Sequence, residues 1–223
     1  MAGSALHRLR TRIRPFVPRG LHSIATRATG RLVARALAGD AVSCPCCGVT
    51  LKRFVAYPSL YCPRCGSYER HRLLALYLEQ RPDLLAPPLE LLQVSPDRPL
   101  ERFLDREGIH RTSIDVDNPA VDLRMDVHEL AFEDRSFDAV LCSAVLDVVA
   151  DQPRALAELK RVLRRGGTAI FQVAVPEQHR LAANLEAEGF ETEIVRAADF
   201  GPAAQTTYAL VAEEETYVCR RPD

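Results

Sequence analysis

The chain has 223 residues, of which 47% are hydrophobic and 26% charged, and its formal net charge is −1. This length accommodates one full-sized domain and a small accessory module. The composition is ordinary for a globular protein. No run of about 18 apolar residues occurs, which argues against a membrane-spanning helix.

The charge is unevenly distributed along the chain. Residues 1–43 contain eight arginines and one acidic residue, so this basic arm carries +7, whereas residues 44–223 contain 21 basic and 29 acidic residues and carry −8. The arm is interpreted as a solvated, partly helical lead-in, as a peripheral contact with an anionic membrane or an acidic partner, or as a targeting segment. Because it lacks an apolar core of about 7–15 residues, we expect no secretory signal. The expected location is cytoplasmic, with any membrane contact through residues 1–43.

Four of the seven cysteines form two paired motifs, Cys44-Pro-Cys-Cys47-Gly and Cys62-Pro-Arg-Cys65-Gly. Two residues between cysteines allow both thiolates to face one ion, and the glycine permits a tight turn. Four sulfurs suit a tetrahedral structural Zn²⁺, so we predict a zinc ribbon over residues 44–66 with Cys44, Cys47, Cys62 and Cys65 as its ligands. A redox pair and disulfides are the alternatives, and disulfides require an oxidising compartment.

The other cysteines and the segment between the motifs have structural interpretations. Cys46 lies between two expected ligands and is expected to point away from the ion. Cys142 and Cys219 lie in apolar strand patterns that are typical of packing residues. The segment "VTLKRFVAYPSLY" alternates enough to form a β-hairpin. Because four ligands close the metal site, we expect a structural ion without Lewis-acid chemistry.

A helix and a linker are predicted over residues 67–89, directly after the second motif. Ser67 is the predicted N-cap, and the leucines that follow recur at helical spacing. Arg70, His71 and Arg72 crowd the first turn, where the helix dipole disfavours cations. Either they pair with acidic residues of the body, with His71 capping the ribbon module, or they bind an anionic ligand.

Residues 90–223 alternate strand and helix patterns. Leu91–Ser95, Arg111–Val116 and Ala139–Cys142 are apolar strands, Pro99–Glu107 and Gln152–Arg165 are predicted helices, and a further strand and helix follow. The last two strand patterns, "ETEIVRA" and "ETYVCRR", indicate a closing antiparallel pair. This alternation predicts an α/β fold with a doubly wound, mostly parallel sheet.

Ligands of such sheets bind outside the carboxyl ends of the strands, where the strand order reverses. Asp115 ends the second strand of the body, where it can accept hydrogen bonds from both ribose hydroxyls or cap the turn in "DVDNP". Asp126 can accept from an adenine amino group or cap the turn before "VHEL". Asp138 begins a strand and is interpreted as structural. The loop "VSPDRP" after the first strand contains no glycine, the residue that usually lets the backbone approach a nucleotide.

The stretch "MDVHELAFEDRSFDAVLCSAVLDVVADQPRALAELKRVLRRGGTAIFQVAV" resembles the second half of a class I S-adenosylmethionine-dependent methyltransferase. From Cys44 onward the chain is similar to methyltransferase type 11-like members in which a zinc ribbon runs into "CGSxERHR". The resemblance implies a Rossmann-like, seven-stranded domain over residues 90–223, with the cofactor lying across its first, second and fourth strands. The residues it implies for the cofactor are Val94, Ser95, Pro96 and Asp97 at the methionine part, Asp115 at the ribose, Asp126 and Val127 at the adenine, and Ser143 and Ala144 at the floor.

The segment after the strand Ala139–Cys142, which corresponds to the family's fourth strand, departs from the family. Relatives read like "HVLEH" there, whereas this chain reads "AVLDV", so both imidazoles are missing. Asp147 is the nearest ionisable candidate for a general base, and His128 is more distant. Alignment of the acceptor with the methyl group is the main source of rate in many such enzymes.

Three functions are compatible with these features. The first is methyl transfer from S-adenosylmethionine to an O, N or C nucleophile of a small-molecule or glycan acceptor. The second is a non-catalytic, methyltransferase-like binding or scaffold protein with a structural zinc site. The third is a nucleic-acid-binding ribbon protein that uses the arginine arm. The acidic body and the few basic residues of the ribbon argue against nucleic acid.

Overall fold

The computed structural model describes residues 29–56 and 59–223, so most of the basic arm lies outside the described residues. Residues 29–36 are helical. The ribbon follows as two antiparallel strand pairs, β1 (Ala38–Ser43) with β2 (Thr50–Leu51) and β3 (Val55–Ala56) with β4 (Leu60–Tyr61). The second pair is a hairpin between the two cysteine motifs, and β1 extends the ribbon N-terminal to its first cysteine.

Helix α1 (Glu69–Gln80) joins the ribbon to the body, because two of its faces pack against different elements. Leu74 and Leu78 lie in a buried cluster with residues of the ribbon and the main sheet, whereas Leu73 and Tyr77 pack with residues of the last two strands. The predicted N-cap was wrong by one residue: the cap is Tyr68, whose N–H donates to Nδ1 of His71 at 3.0 Å.

The main sheet has seven strands in the order β10-β11-β9-β8-β5-β6-β7. They are β5 (Leu89–Val94), β6 (Ile109–Asp115), β7 (Leu123–Arg124), β8 (Phe137–Ser143), β9 (Leu163–Gln172), β10 (Glu191–Arg196) and β11 (Glu215–Arg220). Only β11 runs antiparallel to its neighbours. The strand order reverses between β5 and β8, so the sheet is the predicted doubly wound, mostly parallel one.

Short helices connect the strands. They are α2 (Glu101–Leu104), α3 (Gln152–Val162), α4 (Gln178–Ala187) and α5 (Gly201–Tyr208), and 3₁₀ turns cover Pro82–Leu85, Arg98–Leu100, Val175–Glu177 and Ala197–Phe200. No helix of the described ranges is long and apolar enough to cross a membrane.

Two predicted helices were too long. The helix expected over Pro99–Glu107 is a 3₁₀ turn followed by the four residues of α2. The helix expected to reach Arg165 ends at Val162, because Leu163 already pairs with Phe137 of β8. Strand pairing therefore outweighs the helical periodicity of the last turn.

Apolar side chains alternate between the two faces of the central strands. Leu92 and Phe171 lie in one buried cluster with the inward residues of α3 and α4, whereas Leu91 and Ile170 lie in another with residues of α1, α2 and the ribbon. This two-sided burial explains why the strands read as continuous apolar runs. It also places the ribbon and α1 against one face of the methyltransferase-like body.

Candidate metal centre and cofactor site

The four predicted metal ligands converge in the ribbon. The Sγ atoms of Cys44, Cys47, Cys62 and Cys65 all lie within 4.8 Å of one another. The Cys44–Cys65 and Cys47–Cys62 pairs are separated by 3.7 and 3.8 Å. Zn–S bonds of about 2.3 Å in a tetrahedron place sulfurs about 3.8 Å apart, so the spacing fits zinc. The same spacing is too long for a disulfide.

The backbone of each motif forms the tight turn that the sequence predicts. The N–H of Gly48 donates to the carbonyl of Cys44, and that of Gly66 donates to Cys62, both at 2.8 Å. The two glycines have φ angles of 70° and 84°, in the left-handed region that disfavours a side chain. Each glycine is therefore required by the turn that brings its two thiols to one side.

The neighbours of the metal centre connect it to helix α1. Ser67, which is not the N-cap, has its Oγ 3.1 Å from Sγ of Cys44 and 3.3 Å from Sγ of Cys65. Cys46 lies outside the four-sulfur cluster, and its thiol donates to the carbonyl of His71 at 3.4 Å. The thiol of Cys46 thus contacts the helix and is not part of the four-sulfur cluster.

The predicted cofactor residues lie at the carboxyl ends of adjacent strands. Val94, the last residue of β5, pairs with Ile114 of β6 on one side and with Cys142 of β8 on the other. Asp115 and Ser143 follow directly and end their strands. The strand register therefore brings the first, second and fourth strand ends of the body together at the reversal of strand order.

Ser95 occupies the position where a glycine was expected. Its φ angle is 51°, so a serine adopts the left-handed conformation there, and its N–H donates to the carbonyl of Ile114 at 2.8 Å. The loop keeps the backbone conformation that glycine favours, at a cost in strain for a residue with a side chain. Pro96 and Asp97 continue the loop towards the 3₁₀ turn that begins at Arg98.

Asp115 holds the loop that follows β6. Its Oδ1 accepts hydrogen bonds from the N–H groups of Asp117 and Asn118, both at 2.8 Å. Burial alone would raise the pKa of Asp115, but these two N–H groups and the Ser95 hydroxyl outweigh it and lower the pKa. The carboxylate is therefore ionised at neutral pH.

The two residues predicted at the adenine have different environments. Oδ1 of Asp126 accepts from the backbone N–H of His128 and lies 2.6 Å from Nδ1 of the same histidine; these contacts lower the pKa of Asp126. Val127 is 4% exposed and belongs to the hydrophobic core. The turn thus presents a carboxylate and anchors itself through the neighbouring valine.

Asp97 links the loop after β5 to helix α1. Its Oδ2 lies 2.8 Å from Nε2 of His71 and 3.9 Å from the guanidinium of Arg70. Since Nδ1 of His71 accepts the Tyr68 N–H, Nε2 carries the hydrogen and donates to Asp97. Burial lowers the pKa of His71 despite this partner. Burial opposes ionisation of Asp97, but His71, Arg70 and Ser143 together lower its pKa. Arg70 and His71 therefore contact the body through Asp97.

The end of β8 and the segment after it contain Ser143 and Ala144, which are predicted to lie beneath the cofactor, and Asp147, the candidate general base. Ser143 donates to Oε1 of Gln172 at 3.3 Å, and Ala144 has a φ angle of 54°. Asp147 lies in the following turn with its Oδ1 buried and without a hydrogen-bond partner among the described residues. A buried acceptor without a donor is consistent with a site that binds a ligand.

Asp138 lies at the opposite, amino end of the sheet. It accepts from the N–H of Glu90 at 2.9 Å and from the guanidinium of Arg164 at 2.5 Å. This arrangement is the structural one that the sequence indicates, since it closes β8 against β5.

Part of the chain is similar to known proteins in sequence. Residues 102–171 match the family model described as a methyltransferase domain. A segment of 54 residues, 24% of this chain, is 47% identical to an uncharacterized 37.1 kDa protein in transposon TN4556 of Streptomyces fradiae, of which it spans 16%.

Solved structures resemble the chain in fold. One is titled a putative S-adenosyl-L-methionine-dependent methyltransferase from Methanococcus maripaludis, with 13% identity, a TM-score of 0.52, and coverage of 69% of this chain and 86% of that one. Another is the complex of the Haloferax volcanii Trm112 methyltransferase activator with a putative methyltransferase. It has 18% identity, a TM-score of 0.51, and coverage of 69% of this chain and 91% of that one. A third is the [4+2]-cyclase SpnF, at 21% identity, TM-score 0.50, 68% and 80%.

The strand order and the switch point at β5 and β8 define a Rossmann-like α/β protein of the class I methyltransferase type. Residues 102–171 of this body match the methyltransferase domain model, and a cysteine ribbon precedes the body.

Sequence reasoning missed the polar network that joins helix α1 to strands β9 and β11. Gln172, the last residue of β9, donates to the carbonyl of Arg70 at 2.7 Å and to the hydroxyl of Thr216 at 2.8 Å. The sequence also contained no signal that Glu214, which precedes β11, lies near this network. Only the crowded first turn of α1 signalled this network.

Proposed function

We propose that this protein transfers a methyl group from S-adenosylmethionine to a small-molecule or glycan acceptor. The observation that carries the proposal is the meeting of Ser95, Asp115 and Ser143 at the reversal of strand order, in a body whose residues 102–171 match a methyltransferase domain model. When bound, S-adenosylmethionine supplies an electrophilic methyl group on a positively charged sulfur.

The residues present fit this cofactor chemically. Asp115 is ionised and would accept from the ribose hydroxyls, and Asp126 would accept from the adenine amino group. Val94, Ser95, Pro96 and Asp97 would flank the methionine part, with Ser143 and Ala144 beneath it. Asp147 remains a candidate base, because its Oδ1 is buried and unpaired.

The ribbon is proposed to hold a structural Zn²⁺ through Cys44, Cys47, Cys62 and Cys65. Sulfur spacings of 3.7 and 3.8 Å support a tetrahedral ion. A folded ribbon would hold α1, and through His71 it would hold the loop that contains Asp97. Metal analysis of the purified protein is expected to find about one equivalent of zinc. A chain that folds without metal would contradict this assignment.

Titration calorimetry with S-adenosylmethionine and S-adenosylhomocysteine tests the cofactor. We expect both to bind, since both present the same adenosine to Asp115 and Asp126. Comparing metabolites of cells with and without the protein then identifies the acceptor as a species that gains a methyl group. Failure of both compounds to bind would rule out methyl transfer.

A non-catalytic binding or scaffold protein is the second candidate. The strained Ser95 in place of a glycine favours it, because the side chain narrows the approach to the loop. It predicts no affinity for either cofactor form.

The basic arm is proposed to touch an anionic membrane or an acidic partner, with the protein in the cytoplasm. Deletion of residues 1–43 would then abolish binding to vesicles that contain anionic lipid.

A further inference from the structure

Two charged side chains beyond the predicted site each keep a buried polar atom unpaired. Nε of Arg70 and Oε2 of Glu214 lie buried without a hydrogen-bond partner among the described residues. Arg70 belongs to the first turn of α1, and Glu214 directly precedes β11. Unpaired buried donors and acceptors destabilise a fold, so those that a protein keeps require an explanation.

Contacts with Gln172 and Asp97 fix the place of Arg70. Its carbonyl accepts from Gln172 at the end of β9, which also donates to Thr216 of β11. Its guanidinium lies 3.9 Å from the carboxylate of Asp97 in the loop after β5. Ser143 at the end of β8 donates to the same Gln172. Arg70 therefore lies over the carboxyl ends of the parallel strands, beside the predicted cofactor loop.

The segment before β11 is anchored to the same helix. The buried guanidinium of Arg72 donates to the carbonyls of Tyr208 and Ala209 at 2.7 and 2.9 Å, and Leu210 packs against the cluster of Leu73 and Tyr77. Because β11 runs antiparallel, its first residues lie at the carboxyl ends of its parallel neighbours. This anchoring brings Glu214 to the end of the sheet where Arg70 lies.

The charges around Glu214 come from α1. Burial is the main cause that raises the pKa of Glu214 to about 7. The positive charge of Arg70 most strongly opposes this rise. The carboxylate of Glu69 adds to the rise, and Arg72 opposes it. The carboxyl group is thus present in both protonation states near neutral pH. A base poised in this range transfers protons efficiently in both directions.

We propose that Glu214 and Arg70 form an acceptor site beside the predicted cofactor residues, where Glu214 takes the proton of a hydroxyl or amino nucleophile and Arg70 donates to an oxygen of the same acceptor. This inference rests on the proposed methyl transfer. The nucleophilic atom bonds to the methyl carbon while the carbon–sulfur bond breaks and leaves its electron pair on sulfur. The released proton passes to the carboxylate of Glu214 and then to water. Glu214 thereby replaces the imidazoles that are missing after β8.

Cofactor binding tests the proposal without knowledge of the acceptor. S-adenosylmethionine carries a positive sulfonium and S-adenosylhomocysteine a neutral sulfur, so an ionised carboxylate beside the reacting methyl favours the former. We expect the ratio of their affinities, measured by calorimetry on the full chain, to rise at least about threefold from about pH 5.5 to about pH 8.5. In Glu214→Gln the ratio is expected to lose this rise.

Two further variants sharpen the result. Glu213→Gln removes the exposed neighbouring carboxylate and is expected to keep the wild-type pH dependence. Arg70→Gln removes the cation that favours ionised Glu214, so the rise is expected at higher pH. If Glu214→Gln fails to fold, the pKa of Glu214 measured by carboxyl NMR in the wild type is expected to be lower with S-adenosylmethionine than with S-adenosylhomocysteine.

The outcomes separate the two proposals. Binding of both ligands with the same pH dependence in wild type and Glu214→Gln, or an identical Glu214 pKa with either ligand, overturns the acceptor assignment and leaves methyl transfer standing. Absence of binding by both ligands overturns methyl transfer and this inference with it.

Discussion

The two ends of the main sheet differ in how completely their polar groups are paired. At the amino end, Asp138 pairs with Glu90 and Arg164, and Arg221 donates to three carbonyls between α3 and β9. At the carboxyl end, Asp147 and Glu214 keep buried oxygens that have no partner in the described part of the chain.

Positive φ angles in non-glycine residues occur at both ends of the sheet, since Arg135, just before β8 at the amino end, has a φ angle of 60°. Ser95 after β5 and Ala144 after β8 both have positive φ angles although neither is glycine. Strain and unpaired polar groups persist where function requires them and the surrounding fold compensates. The pairing of side chains at the amino end stabilises the sheet, whereas the unpaired oxygens at the carboxyl end are consistent with the proposed ligand site. The following predictions test this division, from the largest expected effect to the smallest.

Loss of one metal ligand is expected to have the largest effect, because the ribbon supports the carboxyl end through α1. Cys62→Ser should remove zinc and lower the free energy of unfolding by on the order of 5 kcal/mol or more. Thermal unfolding and metal content measure both quantities. Cys46→Ser is the control, since its thiol contacts His71 and not the cluster, and it should keep the metal. Equal metal loss in both variants would contradict the four-ligand assignment.

The same substitution at the two ends of the sheet should separate binding from stability. Asp115→Asn keeps an oxygen for the two N–H donors but loses the charge, and should weaken S-adenosylhomocysteine binding roughly tenfold or more. Asp138→Asn should leave that affinity unchanged. It should lower the free energy of unfolding by only about 1 kcal/mol, because the ion pair of Asp138 with Arg164 is partly exposed to solvent. Calorimetry and denaturant unfolding measure the two effects. Unchanged affinity in Asp115→Asn would show that the site is placed wrongly.

Acidification should weaken the link between α1 and the loop after β5. Burial holds the folded-state pKa of His71 below its unfolded value of about 6.5, so the folded state binds fewer protons there. His71 therefore contributes stability that is full above about pH 6.5 and is lost as the pH falls. Asp97, whose pKa is also lowered, loses its contribution only below about pH 4.

Unfolding measured from about pH 7 to about pH 5 checks this effect. His71→Gln stays neutral and should lose less stability over that range, by about 1 kcal/mol. A variant with the same pH dependence as the wild type would exclude His71 as the titrating group.

The smallest effect is expected at the strained strand end. Ser95→Gly relieves a left-handed serine, and the greater freedom of glycine in the unfolded chain offsets part of the gain, so unfolding should become less favourable by about 1 kcal/mol at most. Ser136→Gly, at a residue without positive φ, should destabilise instead. Destabilisation by both substitutions would argue against strain at Ser95.

Local patterns predicted a large part of the architecture. Continuous apolar runs identified the central strands because both of their faces are buried, and the CxxCG motifs identified four cysteines that the structure brings together. Helix ends were predicted less well. The last turn expected for α3 is strand, since pairing of Leu163 with Phe137 competes with helical periodicity.

The amino-acid sequence alone determined the ribbon, the strand–helix alternation and the family resemblance, because each depends on spacing between near neighbours. Only the tertiary structure placed Arg70 of the ribbon helix near Glu214, which lies 144 positions further along the chain. That meeting depends on Arg72 holding the segment before β11 and on the antiparallel course of β11. Long-range packing of this kind has no local sequence signal, and the proposed acceptor site depends on it.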